Sequence, residues 1–275
     1  GAGKTTTIKL QVDTIAVLGS GATVDGTTVM ITAAGRYEVS GALNDGQIVV
    51  DTADEAKVEL VLNGVTISCS NSAPIYVVNA EKIVIALADG TENRVTDGAS
   101  YILVNAESDE PNAAIYSNDD LTIKGDGSLT VTGNYNHGIV SKDDLEITGG
   151  AITVNALNDG IKGRDSIAIR NGAIVINAGG DGLQAHNDAD AEEGFISIEG
   201  GRLIITAELD GIQAETGLVI SGGSIKITSG GGSINGPRHD EQGNWGMQYS
   251  ADALDSVDSA KGLKAIVDVT ITGGA

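Results

Sequence analysis

Proline, aromatic residues, cysteine and positive charge are all scarce in this chain. Among 275 residues there are three Pro, six Tyr, one Trp, one Phe and a single Cys. The lone Cys69 excludes an intramolecular disulfide, and its place in the alternating run GVTISCS reads as a small buried hydrophobe. Lys and Arg number 16 against 38 Asp and Glu, for a net charge of −22. Such a surface repels nucleic acid and anionic membranes. It would also repel an anionic polymer unless cations mediate. No run within the sequence is apolar and long enough to span a bilayer, and none reads as a signal peptide. The opening GAGKTTT lacks the upstream glycine and strand of a phosphate-binding loop. His137, His186 and His239 have neither zinc spacing nor an accompanying Cys cluster.

Glycine, at 39 residues, is abundant, and it punctuates short runs of period-two alternation. One format recurs: a strand, a Gly corner and a second strand. It is seen in LEITGGAITVNA from Leu145, IAIRNGAIVINA from Ile167, ISIEGGRLIITA from Ile196 and LVISGGSIKITS from Leu218. A short third segment follows each unit: HGIVS, DGIKG, DGLQA or DGIQA. A unit of about 22 residues is too short for a strand plus a full helix, and suits three strands and three turns. Strands repeated in one chain direction pair in parallel, and parallel crossovers are right-handed. The expected fold is therefore all-β, a right-handed parallel β-helix, as a single domain over residues 1–275. Residues 1–30 are expected to cap the open end of the stack, and residues 230–260 to form an inserted loop region.

Stacking the units aligns acidic side chains. One column holds His137, Asp159, Asp181 and Asp210, each followed by Gly. A second holds Asp119, Asp143, Asp165 and Asn187, with Asp120 and Asp144 beside it. Carboxylates about 5 Å apart repel by roughly 3 kcal/mol at an effective dielectric near 20. Turn N–H groups relieve such repulsion, and so does calcium, which suits carboxylates arriving from several loops. Asp143, Asp144, Asp159, Asp165, Asp181, Asp188 and Asp210 are the candidate calcium ligands. Asp188 belongs to AHNDADAEEG, an acidic expansion that either is a solvated loop or closes over these columns.

Two residues after each column glycine comes a further series: Tyr116, Val140, Lys162, Gln184, Gln213 and Lys264. Alternation sends these side chains outward. Tyr116, Lys162, Gln184, Gln213 and Lys264 then form an evenly spaced ridge suited to the hydroxyls of an extended polymer. The format is broken after Gly230 by a long insertion carrying the only Trp, Trp245, with Arg238, His239 and Tyr249. Long insertions often carry function, and Trp245 offers a flat ring for a sugar face or for packing on the β-helix.

The run AAIYSNDDLTIKGDGSLTVTGNYNHGIVSKDDLEITGGAITVNALNDGIKGRDSIAIRNGAIVINAGGDGLQA resembles the clostridial carbohydrate-binding β-helix proteins. The resemblance covers about residues 58–229. It implies a secreted or surface-attached protein with a polysaccharide-lyase-like fold, calcium sites, and binding of cellulose-like and pectic polymers such as polygalacturonate. Pectate lyases of similar fold use calcium-bound uronates and a basic proton acceptor, for which Lys162, Arg164 and Lys264 are the candidates here. No lyase signature places any of them beside a metal. The expected function is calcium-assisted polysaccharide binding without catalysis. A pectate-lyase-like enzyme and a purely structural surface or adhesion solenoid are the alternatives.

Overall fold

Each alternating run becomes a strand, and each coil from Ala113 to Ser229 contributes one strand to each of three parallel ladders. In the computed structural model, which describes residues 5–103, 109–230 and 260–275, there is no helix and there are 27 strands. The first ladder runs through Asp144–Ile147, Ser166–Ile169, Phe195–Ile198 and Gly217–Ile220. The second takes Ala151–Ala156, Ala173–Ala178, Arg202–Ala207 and Ser224–Ser229. The third takes Ile161–Gly163, Leu183–Ala185, Ile212–Ala214 and Leu263–Ala265. This is the parallel β-helix that the repeat predicts.

The register stacks like on like. Leu145, Ile167, Ile196 and Leu218 align in the first ladder, and Ile161, Leu183 and Ile212 in the third. These side chains are buried and join one continuous core along the axis. Burying each Ile or Leu stabilises by about 1.5–3 kcal/mol, which explains how so long a stack stands with few aromatics. Cys69 is buried, in keeping with its sequence reading.

Earlier in the chain the format bends. Val58–Cys69 is one long strand that pairs with Ile83–Leu87 through its first half and with Glu92–Asp97 through its second. At the N-terminal edge, Thr6–Val12 pairs antiparallel with Thr14–Leu18 and parallel with Gly35–Leu43. Ala22–Asp25 and Thr28–Ile31 form a second antiparallel pair.

Candidate functional site

The repeated Asp-Gly pairs form a buried staircase between coils. Oδ1 of Asp159 accepts the Asp181 N–H at 2.8 Å, and Oδ1 of Asp181 accepts the Asp210 N–H at 2.8 Å. Asp210 Oδ1 accepts from Lys261 at 2.7 Å, and at the other end the Asp159 N–H reaches His137 Nδ1 at 3.3 Å. The second oxygen turns to a neighbour on the ridge. Asp159 Oδ2 lies 3.2 Å from Lys162 Nζ and 3.2 Å from His137 Nδ1. Asp181 Oδ2 accepts from Gln184 at 2.7 Å, and Asp210 Oδ2 from Lys264 at 2.8 Å. At Asp159, Asp181 and Asp210 the carboxylate oxygens thus accept from turn N–H groups and from ridge side chains. The physical reason is register: each carboxylate sits level with the next coil's N–H.

Their environments set Asp159 apart from Asp181. Burial works against charge on Asp159, yet His137, Lys162 and the Asp181 N–H hold its carboxyl down at about 2. Burial pushes Asp181 up, aided by the charges of Asp159 and Asp210. Asp159 therefore stays an anion and anchors two basic side chains.

The second column is shallower and more crowded. Burial first, then Asp165, Asp119, Asp120 and Asp144, push Asp143 above the usual carboxylate range. Asn187 donates to Asp165 at 2.6 Å, and Ser166 to Asp144 at 2.6 Å. Asn187 Oδ1 also receives the N–H groups of Ala189 and Asp190, so it caps the acidic expansion as a turn and leaves Asp188 in solvent. Among the described residues, no three His, Cys, Asp or Glu side chains are grouped to hold a metal ion.

Between the column and the ridge sits His186. Burial, then Lys162, Lys142 and Arg164, lower its pKa to about 4. Its buried Nδ1 finds no hydrogen-bond partner among the described residues. The unfolded chain takes up this proton near 6.5, so stability present above that pH is lost as pH falls towards 4. Asp97, Asp119, Asp143 and Asp181, all raised, act oppositely: their contribution is present in acid and lost as pH rises through their folded values. A comparison with His186→Gln isolates the histidine. Between pH 7 and pH 5 the melting temperature of the wild type should fall further, or rise less, than that of the variant. Identical pH profiles would show that the fold leaves the His186 pKa at its unfolded value.

The ridge stands in strict register: Tyr116 with Val140, Val140 with Lys162, Lys162 with Gln184, Gln184 with Gln213, and Gln213 with Lys264. Tyr116 is the correction. It is only 1% exposed and packs edge-on against Tyr76 at 5.8 Å, in a small cluster with Ala73, Ala113 and Val140. Tyr101 packs against this cluster, and its hydroxyl lies 2.7 Å from Asp97 Oδ2 and 3.1 Å from the Ala113 carbonyl oxygen. Outward direction was legible from alternation, but the packing of Tyr101 and Tyr76 against this cluster was not. Lys162, Gln184, Gln213 and Lys264 remain partly exposed. Gln184, Gln213, Lys261 and Lys264 line a groove of about 320 Å3 floored by Asp181 and Asp210. Lys264 also donates to Gln213 Oε1 at 3.2 Å, and its hydrogen bond to Asp210 raises its pKa. Trp245, Arg238, His239 and Tyr249 lie outside the described residues.

Sequence reading passed over a second feature. Asn155 and Asn177 are paired in register on the second ladder, with Asn177 Nδ2 donating to Asn155 Oδ1 at 2.9 Å. The signal was present in ITVNA and IVINA, where Asn holds the same place in consecutive units.

Comparisons with known proteins agree with this geometry. A solved structure described as the polysaccharide lyase-like protein from C. thermocellum, gadolinium derivative, superposes with a TM-score of 0.85 at 37% identity, covering 98% of this chain and 99% of that one. A carbohydrate-binding domain-containing protein of Acetivibrio thermocellus is 52% identical over 136 residues, 50% of this chain. That match covers 48% of the relative's own length. The family sequence profile named carbohydrate-binding domain-containing protein matches residues 25–275, and the chain belongs to that family.

Proposed function

We propose that the protein binds extended polysaccharides of the cell wall, cellulose-like or pectic, outside the cell and without cleaving them. The observation that carries this reading is the in-register row of Lys162, Gln184, Gln213 and Lys264. Parallel strands repeat about every 4.8 Å, close to the rise of one sugar ring in an extended chain. Successive coils therefore offer successive rings the same donors and acceptors. The carboxylate staircase orients them: Asp181 holds Gln184, and Asp210 holds Lys264. Fixed side chains lose less entropy when a ligand arrives.

The chemistry of the same row argues against β-elimination. A proton acceptor must be close and deprotonated. Lys264 is held protonated by Asp210, Lys162 is paired with Asp159, and Arg164 is a guanidinium that keeps its proton in proteins.

Calcium enters this proposal as a bridge between two anions, protein and polyuronate. Asp143, Asp144, Asp165 and the exposed Asp188 bring at most one or two carboxylates to any one such bridge, and polymer carboxylates and water supply the rest of the shell. The test is a retention panel on cellulose and polygalacturonate, with calcium and with chelator. Retention on polygalacturonate should need calcium, whereas retention on neutral cellulose should survive chelator. Gln213→Ala with Lys264→Gln should weaken polygalacturonate retention about tenfold, the size expected for losing one or two hydrogen bonds. Neither polymer should yield the ultraviolet absorbance of unsaturated uronates. Growth of that absorbance, abolished by Lys264→Gln, would make the protein a lyase. Retention on no polymer would favour a structural solenoid.

A further inference from the structure

The second ladder carries an outward face unlike the rest of this acidic chain. Over four coils its outward positions are Ser128, Thr130 and Thr132; Ala151, Thr153 and Asn155; Ala173, Val175 and Asn177; and Arg202, Ile204 and Thr206. Only Arg202 among these twelve is charged. The register places Thr132, Asn155, Asn177 and Thr206 in one straight row. Beside that row lies an open groove of about 440 Å3, lined by Thr132, Asn134, Asn155, Leu157, Asn177 and Thr206, with Glu208 as the single charged lining residue. Leu157, 66% exposed, is an apolar shelf at its edge.

The two amides are already ordered by their mutual hydrogen bond. That bond uses one donor of Asn177 and one acceptor site of Asn155. Each amide keeps further capacity: Asn155 its NH2, Asn177 its carbonyl oxygen. Paired donors and acceptors at one-coil spacing suit vicinal hydroxyls, which both give and take hydrogen bonds. Flat β-branched side chains next to them suit the apolar face of a pyranose ring. The near absence of charge removes any gain from a carboxylated sugar, which the surrounding negative field disfavours.

We infer that this row is a second glycan track, selective for an uncharged extended polysaccharide and separate from the Lys162–Lys264 ridge. The two tracks lie on either side of the corner formed by Asn158, Asp159 and Gly160, so one rod holds a neutral and an acidic chain side by side and bridges them. The inference rests on the glycan-binding reading above.

The experiment uses the full chain, microcrystalline cellulose and cellohexaose as neutral probes, and polygalacturonate with calcium as the acidic one. Asn155→Ala with Asn177→Ala should lower cellulose retention and cellohexaose affinity about tenfold, for two or so lost hydrogen bonds, and leave polygalacturonate retention unchanged. Thr206→Lys, which fills the row while leaving both amides in the sequence, should do the same. Wild-type protein should pull polygalacturonate down with cellulose, and the double variant should not. Unchanged cellulose retention in both variants would overturn the second track while leaving the ridge intact. A concentration-dependent dimer lost in the double variant would also overturn it, because the row would then seat a second copy. Retention of neither polymer by the wild type would overturn the glycan-binding reading itself.

Discussion

Replacing Asp159 by Ala should destabilise the protein by about 3–5 kcal/mol, the loss expected when one partner of a buried ion pair is removed. Two groups lose their acceptor together: the Asp181 N–H at 2.8 Å and Lys162 Nζ at 3.2 Å. The buried N–H alone costs about 1–3 kcal/mol when unsatisfied. Asp159→Asn keeps an oxygen for the Asp181 N–H and gives up only the charge, so it should cost less than half as much. Denaturant unfolding at neutral pH, with circular dichroism as the readout, measures both. The loss should be the same in calcium and in chelator, because the staircase is held by protein groups. An Ala variant within about 0.5 kcal/mol of wild type, the range of ordinary surface changes, would show that the staircase carries no stability. A loss seen only in calcium would restore the metal to this column.

The same residues show what sequence could and could not tell. Period-two alternation, the Gly corners and the spacing of Asp159, Asp181 and Asp210 were enough for the fold and for the columns, since a solenoid makes sequence period and spatial neighbour the same thing. The spacing also put Lys162, Gln184, Gln213 and Lys264 in one row. It did not reveal that the Oδ1 atoms of Asp159 and Asp181 accept the next coil's N–H. That depends on the height of each Oδ1 relative to the next coil's N–H, a displacement smaller than one residue. Nor did it reveal the burial of Tyr116, which depends on Tyr101 and Tyr76 packing against its cluster. The Asn155–Asn177 pair was visible as a column, but a neutral amide attracts less notice than a charge.

Gly182→Ala should be the most damaging small substitution on the Asp-Gly column. A Cβ there would lie 2.3 Å from Ile205 Cγ2 and 2.5 Å from the Gly211 carbonyl oxygen. Gly160 repeats the geometry one coil earlier, against Ile176 and the Gly182 carbonyl. Glycine is thus required by close approach between coils. Overpacking of this kind costs about 1–3 kcal/mol and occasionally more. Gly217→Ala is the control, since its Cβ would meet only the end of the Asp268 side chain at 2.9 Å, and it should stay within about 0.5 kcal/mol of wild type. Ile205→Ala tests which obstacle dominates. It removes the Ile205 side chain but leaves the Gly211 carbonyl in place, so in a double-mutant cycle more than half of the Gly182→Ala loss should persist. Full rescue by Ile205→Ala would mean that only side-chain crowding excludes Cβ. The function should follow the backbone. Gly182 and Gly211 immediately precede the strands that carry Gln184 and Gln213, and forcing these coils apart breaks the spacing of the ridge. Polymer retention by Gly182→Ala should therefore fall at temperatures where the variant is still folded, and retention equal to wild type under those conditions would separate the ridge from the column that supports it.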